Sequence, residues 1–280
     1  MRSRSDSLVL TFLITIVAST QLLANDKASN DWTIPTQKKD FHVFLLMGQS
    51  NMNGAAKLLP EDRTPAPHVV GLTRKDDKIE WAPAAHPLQN YPKKKKFSLG
   101  IPFAKAYLKD NPKKTVGLVP VAFGGFSIDR LGKNSKAYKI VMEMAKVAME
   151  KGTLKGILWH QGESDTTKQS KADSYEKKLH QLISDIRRDL GDDDLPFIVG
   201  NLAEFYGTGK SHSAPDRVAS INQVRGILRA VPGKIANTAF VESTGCKSED
   251  HHMVHFDRNS YIILGKRYAQ AIKKITKNNK

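Results

Sequence analysis

Five short apolar runs, at 43–47, 116–121, 157–159, 197–199 and 239–241, constrain this chain more than any other feature. An antiparallel sheet with one wet face would alternate apolar and polar residues. Runs without alternation suit parallel strands covered on both faces. The stretches between them carry a helical period. Residues 172–190 place Tyr175, Leu179, Leu182, Ile183, Ile186 and Leu190 on one stripe, with Gly191 following as a stop. Residues 101–109, 136–150, 216–230 and 259–274 read as further helices. The alternation predicts an α/β fold, a three-layer α/β/α sandwich on a mostly parallel five-stranded sheet. No repeat or shift of composition divides residues 41–275, which read as one domain behind a polar linker at 25–40. Residues 53–98 are rich in Pro, Lys and Asp and show little periodicity, as a functional or poorly ordered connection does.

The first residues stand apart. Arg2 and Arg4 precede an apolar stretch from Leu8 to Ala18, and small residues follow up to Ala24. This is the pattern of a secretory signal peptide at 1–24, cleaved after Ala24, and the apolar run is short for a spanning helix. The chain is therefore expected to be secreted or periplasmic, with no stable membrane span after cleavage. Cys246 is the only cysteine, so no internal disulfide can form and the core must hold the fold. Removing Arg2, Arg4 and Asp6 with the signal takes the formal charge from +16 to +15. Such a surface favours polyanionic partners, an acidic polysaccharide among them. The densest basic run, Lys93 to Lys96, lacks the interleaved aromatics of single-strand nucleic-acid grooves, so no nucleic acid is expected.

Ligands of open α/β sheets bind outside the carboxyl ends of the strands, so the residues just after each run carry the most information. Gly48-Gln49-Ser50-Asn51 succeeds the first, Ala122-Phe123-Gly124-Gly125-Phe126-Ser127 the second, and His160-Gln161-Gly162-Glu163-Ser164-Asp165 the third. His251, His252 and His255 lie just before the last helix. A serine, a glycine pair, an amide, carboxylates and a histidine on one rim are the parts for acyl transfer. The serine needs a base, the base needs an acceptor for its second N–H, and the tetrahedral oxyanion needs donors. A glycine pair lets backbone amides approach closely, and the Gln161 side chain can add another N–H. Taken singly, each block reads as a turn or a packed polar residue; their order along one rim favours the joint reading. The histidines lack a metal-ligand spacing such as H-E-x-x-H, and no metal is expected. Met52 stands where a G-x-S-x-G elbow needs glycine, which argues against an α/β-hydrolase.

These blocks resemble the SGNH hydrolases, specifically the sialate O-acetylesterase-like branch that includes the family 6 carbohydrate esterases. Gly48-Gln49-Ser50-Asn51-Met52, residues 119–125, Trp159 to Asp165, and His255-Phe256-Asp257 with residues 264–269 carry the likeness across 41–272. The resemblance implies a flavodoxin-like fold and hydrolysis of acetyl esters on sugars through an acetyl-serine, with no cofactor. Ser50 would be the nucleophile and His255 the base. The Ser50 amide, Gly125 (or Gly124) and Gln161 would form the oxyanion hole, with Gln49 and Asn51 as substrate contacts.

The chain departs from the family pattern at two places. Phe126 comes after the glycine pair where Ser or Thr is usual. His252 stands where Asp-x-x-His would put the acid. The acid would then be Glu163, with Asp250 or Glu249 as the alternative. A glycan-binding protein without catalysis, or an esterase of non-sugar esters, would use the same shell. The sequence leaves the acetylated sugar and the oligomeric state open.

Overall fold

The computed structural model describes residues 32–75, 78–88, 96–210 and 212–278. The expected signal peptide at 1–24, the first part of the linker and Lys93 to Lys95 lie outside the described residues.

The centre of the molecule is β1 (Phe41–Gly48), eight residues that are all buried. Its two faces meet different helices. Phe44 packs edge-on against Phe103 and Tyr107 of α2 (Gly100–Asp110), with centroids 4.8 and 4.9 Å away. On the opposite face Val43 and Phe41 pack under Gly152, at the end of α3 (Lys136–Lys151). A strand covered on both sides gains from apolar residues at every position, which is why the run does not alternate.

Parallel neighbours flank β1: β4 (Thr115–Ala122) on one side and β5 (Thr153–His160) on the other. The sheet continues from β5 to β6 (Phe197–Gly200) and β7 (Thr238–Val241), both parallel. Beyond β4 lie β2 (Val69–Lys75) and β3 (Lys78–Pro83), giving the order β3-β2-β4-β1-β5-β6-β7. Helix α2 packs on α6 (Arg258–Asn278) over one face. Helices α3, α4 (Gln169–Leu190) and α5 (Pro215–Lys234) line the other. The three-layer sandwich is therefore as expected.

The sheet has seven strands, not five. Both extra strands fall within the stretch that reads as irregular. β2 pairs with β4 over only three residues, Val69 to Gly71, and then turns into an antiparallel hairpin with β3. Edge strands are short and charged because a long apolar edge invites pairing with other chains. Lys75, Lys78 and Glu80 give this hairpin that composition, which hides it from a search for apolar runs.

Local signals elsewhere agree with the chain path. The Ser135 side chain accepts the Tyr138 amide at 3.0 Å and caps α3. Gly191 ends α4 in the left-handed region, φ 73°, while the next amide, Asp192, returns to Arg187 O at 3.0 Å. All six residues of the expected α4 stripe are buried.

The chain passes from β4 to β5 across β1, so the direction of winding reverses there. The crevice at the carboxyl end of β1, between β4 and β5, is the switch point at which such sheets hold their ligands.

Candidate active site

The site begins where β1 stops. Gly48 has φ 142° and passes so close beneath β5 that a β-carbon would lie 2.1 Å from His160 O. Only glycine fits there. Gln49 N donates to the same His160 O at 3.0 Å. The chain then makes one helical turn, α1 (Ser50–Asn53), in which the amides of Met52 and Asn53 both return to Gln49 O. Ser50, at the head of this turn, is half-buried, while Asn51 and Met52 point inward. Its backbone N–H belongs to the first turn and has no acceptor within it.

His255 arrives from the other end of the chain. It sits on a small ribbon between β7 and α6, closed by the Ser248–Phe256 bridge and by Asp257 N to Lys247 O at 3.0 Å. Its Nε2 lies 3.1 Å from Ser50 Oγ. That is hydrogen-bond distance for a hydroxyl and the base that would take its proton.

The three candidate acids occupy different places. Glu163 is buried, with Oε1 accepting from Asn51 Nδ2 at 2.6 Å. Burial pushes its carboxyl pKa up, and the Asn51 bond works against that rise. Asp250 is exposed and turns back on its own loop, with Oδ1 accepting the His252 amide at 3.0 Å. Glu249 Oε1 takes the Lys57 amide at 2.8 Å. Glu163 reaches the histidine ribbon through Asn51, whose Nδ2 also donates to Val254 O (3.0 Å) and whose Oδ1 accepts from Phe256 N (3.3 Å) and Tyr261 OH (3.1 Å). One amide side chain thus holds the backbone on both sides of His255.

Gln49 and Asn51, expected to touch substrate, are instead 3% and 0% exposed. Gln49 Oε1 faces Gln161 Nε2 and the amides of Gly162 and Ser164 at 3.2 to 3.4 Å. Gln161 is also wholly buried. Its Nε2 donates to Asp165 Oδ2 at 2.5 Å and to Phe126 O at 3.0 Å, and its Oε1 accepts from Tyr175 OH at 3.0 Å. A buried amide must find partners inside the protein, and a carboxylate is a stronger acceptor than a substrate carbonyl. Gln161 therefore braces the floor of the site and does not face outward as an oxyanion donor.

The glycine pair does face outward. Phe123 N donates to Gly48 O at 2.9 Å, and Phe126 N closes a tight turn on Phe123 O at 3.2 Å. Gly124 and Gly125 are exposed at its tip, and Gly125 takes φ 74°. A second central residue of a turn at positive φ is where glycine is preferred.

Asp165 has a structural part that its place in the third block did not disclose. It accepts Ile128 N at 3.0 Å as well as Gln161, so it ties the glycine loop to the loop after β5. Burial pushes its pKa up to about 6, against the pull of those bonds. His160, fully buried, contacts Tyr268 OH through Nδ1 at 3.1 Å, and that hydroxyl donates to Trp159 O at 2.7 Å. The hydroxyl proton is thereby assigned, so His160 carries its own proton on Nδ1. Burial holds its pKa down at about 3 and keeps the ring neutral. Among the described residues no group of three or more His, Cys, Asp or Glu side chains could hold a metal ion.

The Ser50–His255 pair lies over the crevice of a mostly parallel α/β/α sandwich. The family model described as carbohydrate esterase, sialic acid-specific acetylesterase, matches residues 40–274. The chain is 27% identical over 249 residues to the probable carbohydrate esterase At4g34215 of Arabidopsis thaliana, covering 82% of this chain and 89% of that one. A solved structure of the protein from that Arabidopsis locus superposes with a TM-score of 0.71 at 28% identity, over 83% of this chain and 98% of that one. A solved structure of NanS also gives 0.71, at 17% identity, over 88% of this chain and all of that one (100%). A carbohydrate acetylesterase from Xanthomonas citri gives 0.59 at 18% identity, over 84% of this chain and 57% of that one. This chain belongs to the sialic acid-specific acetylesterase family of carbohydrate esterases. No helix among the described residues is long and apolar enough to cross a membrane.

Proposed function

We propose that this carbohydrate esterase removes O-acetyl groups from sugars through an acetyl-Ser50 intermediate. The observation that carries the reading is the 3.1 Å contact between Ser50 Oγ and His255 Nε2, made by residues at opposite ends of the chain. His255 takes the hydroxyl proton as Ser50 Oγ bonds to the acetyl carbon. The oxyanion forms beside the amides of Ser50 and Gly125, which remain the donors of the expected set once Gln161 is placed in the floor. As the tetrahedral intermediate collapses, His255 returns the proton to the departing sugar oxygen. Water, deprotonated by the same histidine, then attacks the acyl-serine and releases acetate. Glu163 acts as a positioning residue through Asn51. No resident cofactor enters any of these steps. The pattern of residues 1–24 supports work outside the cytoplasm, in the periplasm or as a secreted protein.

The test is acetate release from an acetylated xylo-oligosaccharide or from 4-nitrophenyl acetate, with Ser50 labelling by a fluorophosphonate probe alongside. Ser50→Ala should remove both turnover and labelling. Near-wild-type turnover in that variant overturns the mechanism. A wild-type protein that neither turns over nor labels would instead be a binding protein built on the same shell.

A further inference from the structure

The two helix layers differ in charge. Helices α2 and α6 together carry eight Lys and Arg side chains and one carboxylate, Asp110. On the opposite face α3, α4 and α5 carry thirteen Lys and Arg against seven Asp and Glu. The signs are interleaved there, and Lys178, Arg188, Arg229 and Lys234 hold carboxylates of the protein.

On the α2–α6 layer three of the eight cations are taken up within the molecule. Arg258 pairs with Asp62, Arg267 donates to the carbonyls of Glu242 and Thr244, and Lys273 takes Asp110 at 2.6 Å. Lys105, Lys109, Lys266, Lys274 and Lys277 are exposed, and among the described residues no carboxylate pairs with them. Lys113, just beyond the end of α2, is exposed as well.

Packing sets these lysines side by side. Gly265 faces the first turn of α2, where a β-carbon would lie 2.7 Å from Phe103 N, and Lys273 meets Asp110 at the last turn. The helices therefore run parallel and in contact, with axes within about 10 Å of each other. Lys105 and Lys109 stand about one turn apart on α2, and Lys266 and Lys277 about 16 Å apart on one side of α6. The rows are separated by about one Debye length at 0.1 M salt, so their charges repel and their potentials add. A favourable contact with the helix dipole accounts for Lys109 and Lys277, in the last turns, but not for Lys105 and Lys266 in the middle.

We propose that this layer docks the protein on an anionic phospholipid bilayer. Two parallel rows spread charge over an area, which suits a plane of phosphates better than a single polymer strand. The free cations are all lysines, point charges that meet phosphate without the fork geometry of arginine. Clusters of this size attract anionic headgroups. The exposed large apolar residues among those described are Trp32 and Leu59, neither of them on these helices, so the contact is electrostatic with nothing inserted. The flank of the sandwich is engaged, and the crevice at the strand ends stays open. The proposal is independent of the esterase reading.

The experiment is co-sedimentation of the full chain with vesicles of phosphatidylcholine, or of equal parts phosphatidylcholine and phosphatidylglycerol. The neutral vesicles account for any binding by the apolar stretch at 8–18. Binding to the anionic vesicles should be tighter, and should weaken about tenfold or more as sodium chloride rises from about 0.05 M to about 0.3 M. Lys105→Gln/Lys109→Gln/Lys266→Gln/Lys277→Gln should weaken it about a hundredfold, with far-ultraviolet circular dichroism unchanged. Lys136→Gln/Lys139→Gln/Lys146→Gln/Lys151→Gln removes the same charge from α3 and should cost less than about tenfold. Equal losses in the two variants, or equal binding to the two kinds of vesicle, overturn the proposal. Retention of soluble polygalacturonate by the α2–α6 lysines, without preference for anionic vesicles, also overturns it and makes the layer a polymer site.

Discussion

Asn51 Nδ2 lies 2.6 Å from Glu163 Oε1, and the same side chain bonds the backbone of Val254 and Phe256. The residue after the nucleophile therefore holds the two residues that flank the histidine. Ser50 and His255 are held in register by a neighbour of each.

Replacing Asn51 tests this link. Asn51→Leu keeps the volume and deletes every bond, so kcat should fall about a hundredfold for displaced catalytic groups. KM should change little, because Asn51 is 0% exposed and meets no substrate. Steady-state kinetics beside a thermal melt separate the effects. A variant that melts lower yet keeps wild-type kcat would reduce Asn51 to a packing residue.

The carboxylates can be ranked in the same way. Glu163→Gln leaves an acceptor for Asn51 but removes the charge, and kcat should drop by about tenfold or more. Asp250→Asn should stay near wild type, because that carboxylate is exposed and caps its own turn. A loss of several orders in Asp250→Asn, with Glu163→Gln unaffected, would make Asp250 the acid.

Asp165 gives a dependence on pH. Its carboxyl pKa is raised from 3.8 to about 6 by burial, so the folded protein holds this proton more tightly than the unfolded chain. The stabilisation is complete below the unfolded value and is lost as pH rises through the folded one. Asp165→Asn cannot ionise, and relative to wild type it should gain roughly 2 to 3 kcal/mol between pH 4 and pH 7. Denaturant melts at the two pH values measure the gap. A gap that stays constant, or moves in favour of the wild type, contradicts the raised pKa.

Gly48→Ala probes the floor. A β-carbon 2.1 Å from His160 O, at φ 142°, cannot be accommodated without moving β1 from β5. A destabilisation above about 3 kcal/mol is expected from overpacking and backbone strain together. A melting temperature equal to wild type would mean that the strands separate easily at this point.

The legibility of each element in the sequence depends on the physics of its residues. The strands β1 and β4 to β6 announce themselves because a two-sided core admits apolar residues at every position, and β7, at the far edge, because Ala239 to Val241 are apolar although Ala239 and Phe240 are only partly buried. The hairpin of β2 and β3 does not, since its charges suit an edge and resemble those of a loop. Ser50, His255 and the glycine turn are readable as blocks that succeed strands or precede the last helix. Gln49 and Asn51 are expected as substrate contacts and Gln161 as an oxyanion donor from the resemblance, and their burial depends on partners more than a hundred residues away.

The two halves of the site are anchored unequally. Ser50 rides on the central strand of the sheet, whereas His255 sits on a ribbon held by the Ser248–Phe256 bridge, a few backbone bonds and the Asn51 side chain, with Asp250 and His252 in water. Heat should detach the histidine before it melts the sheet, because of residues 247–257 Phe256 alone is buried, and local opening starts where few apolar contacts oppose it. Esterase activity would then disappear at a lower temperature than the far-ultraviolet helical signal, and would return on cooling from the interval between them. Coincident loss of both signals would mean that ribbon and sheet form one cooperative unit. With separate losses, the working range of the enzyme is set by a short ribbon that Phe256 pins to the core.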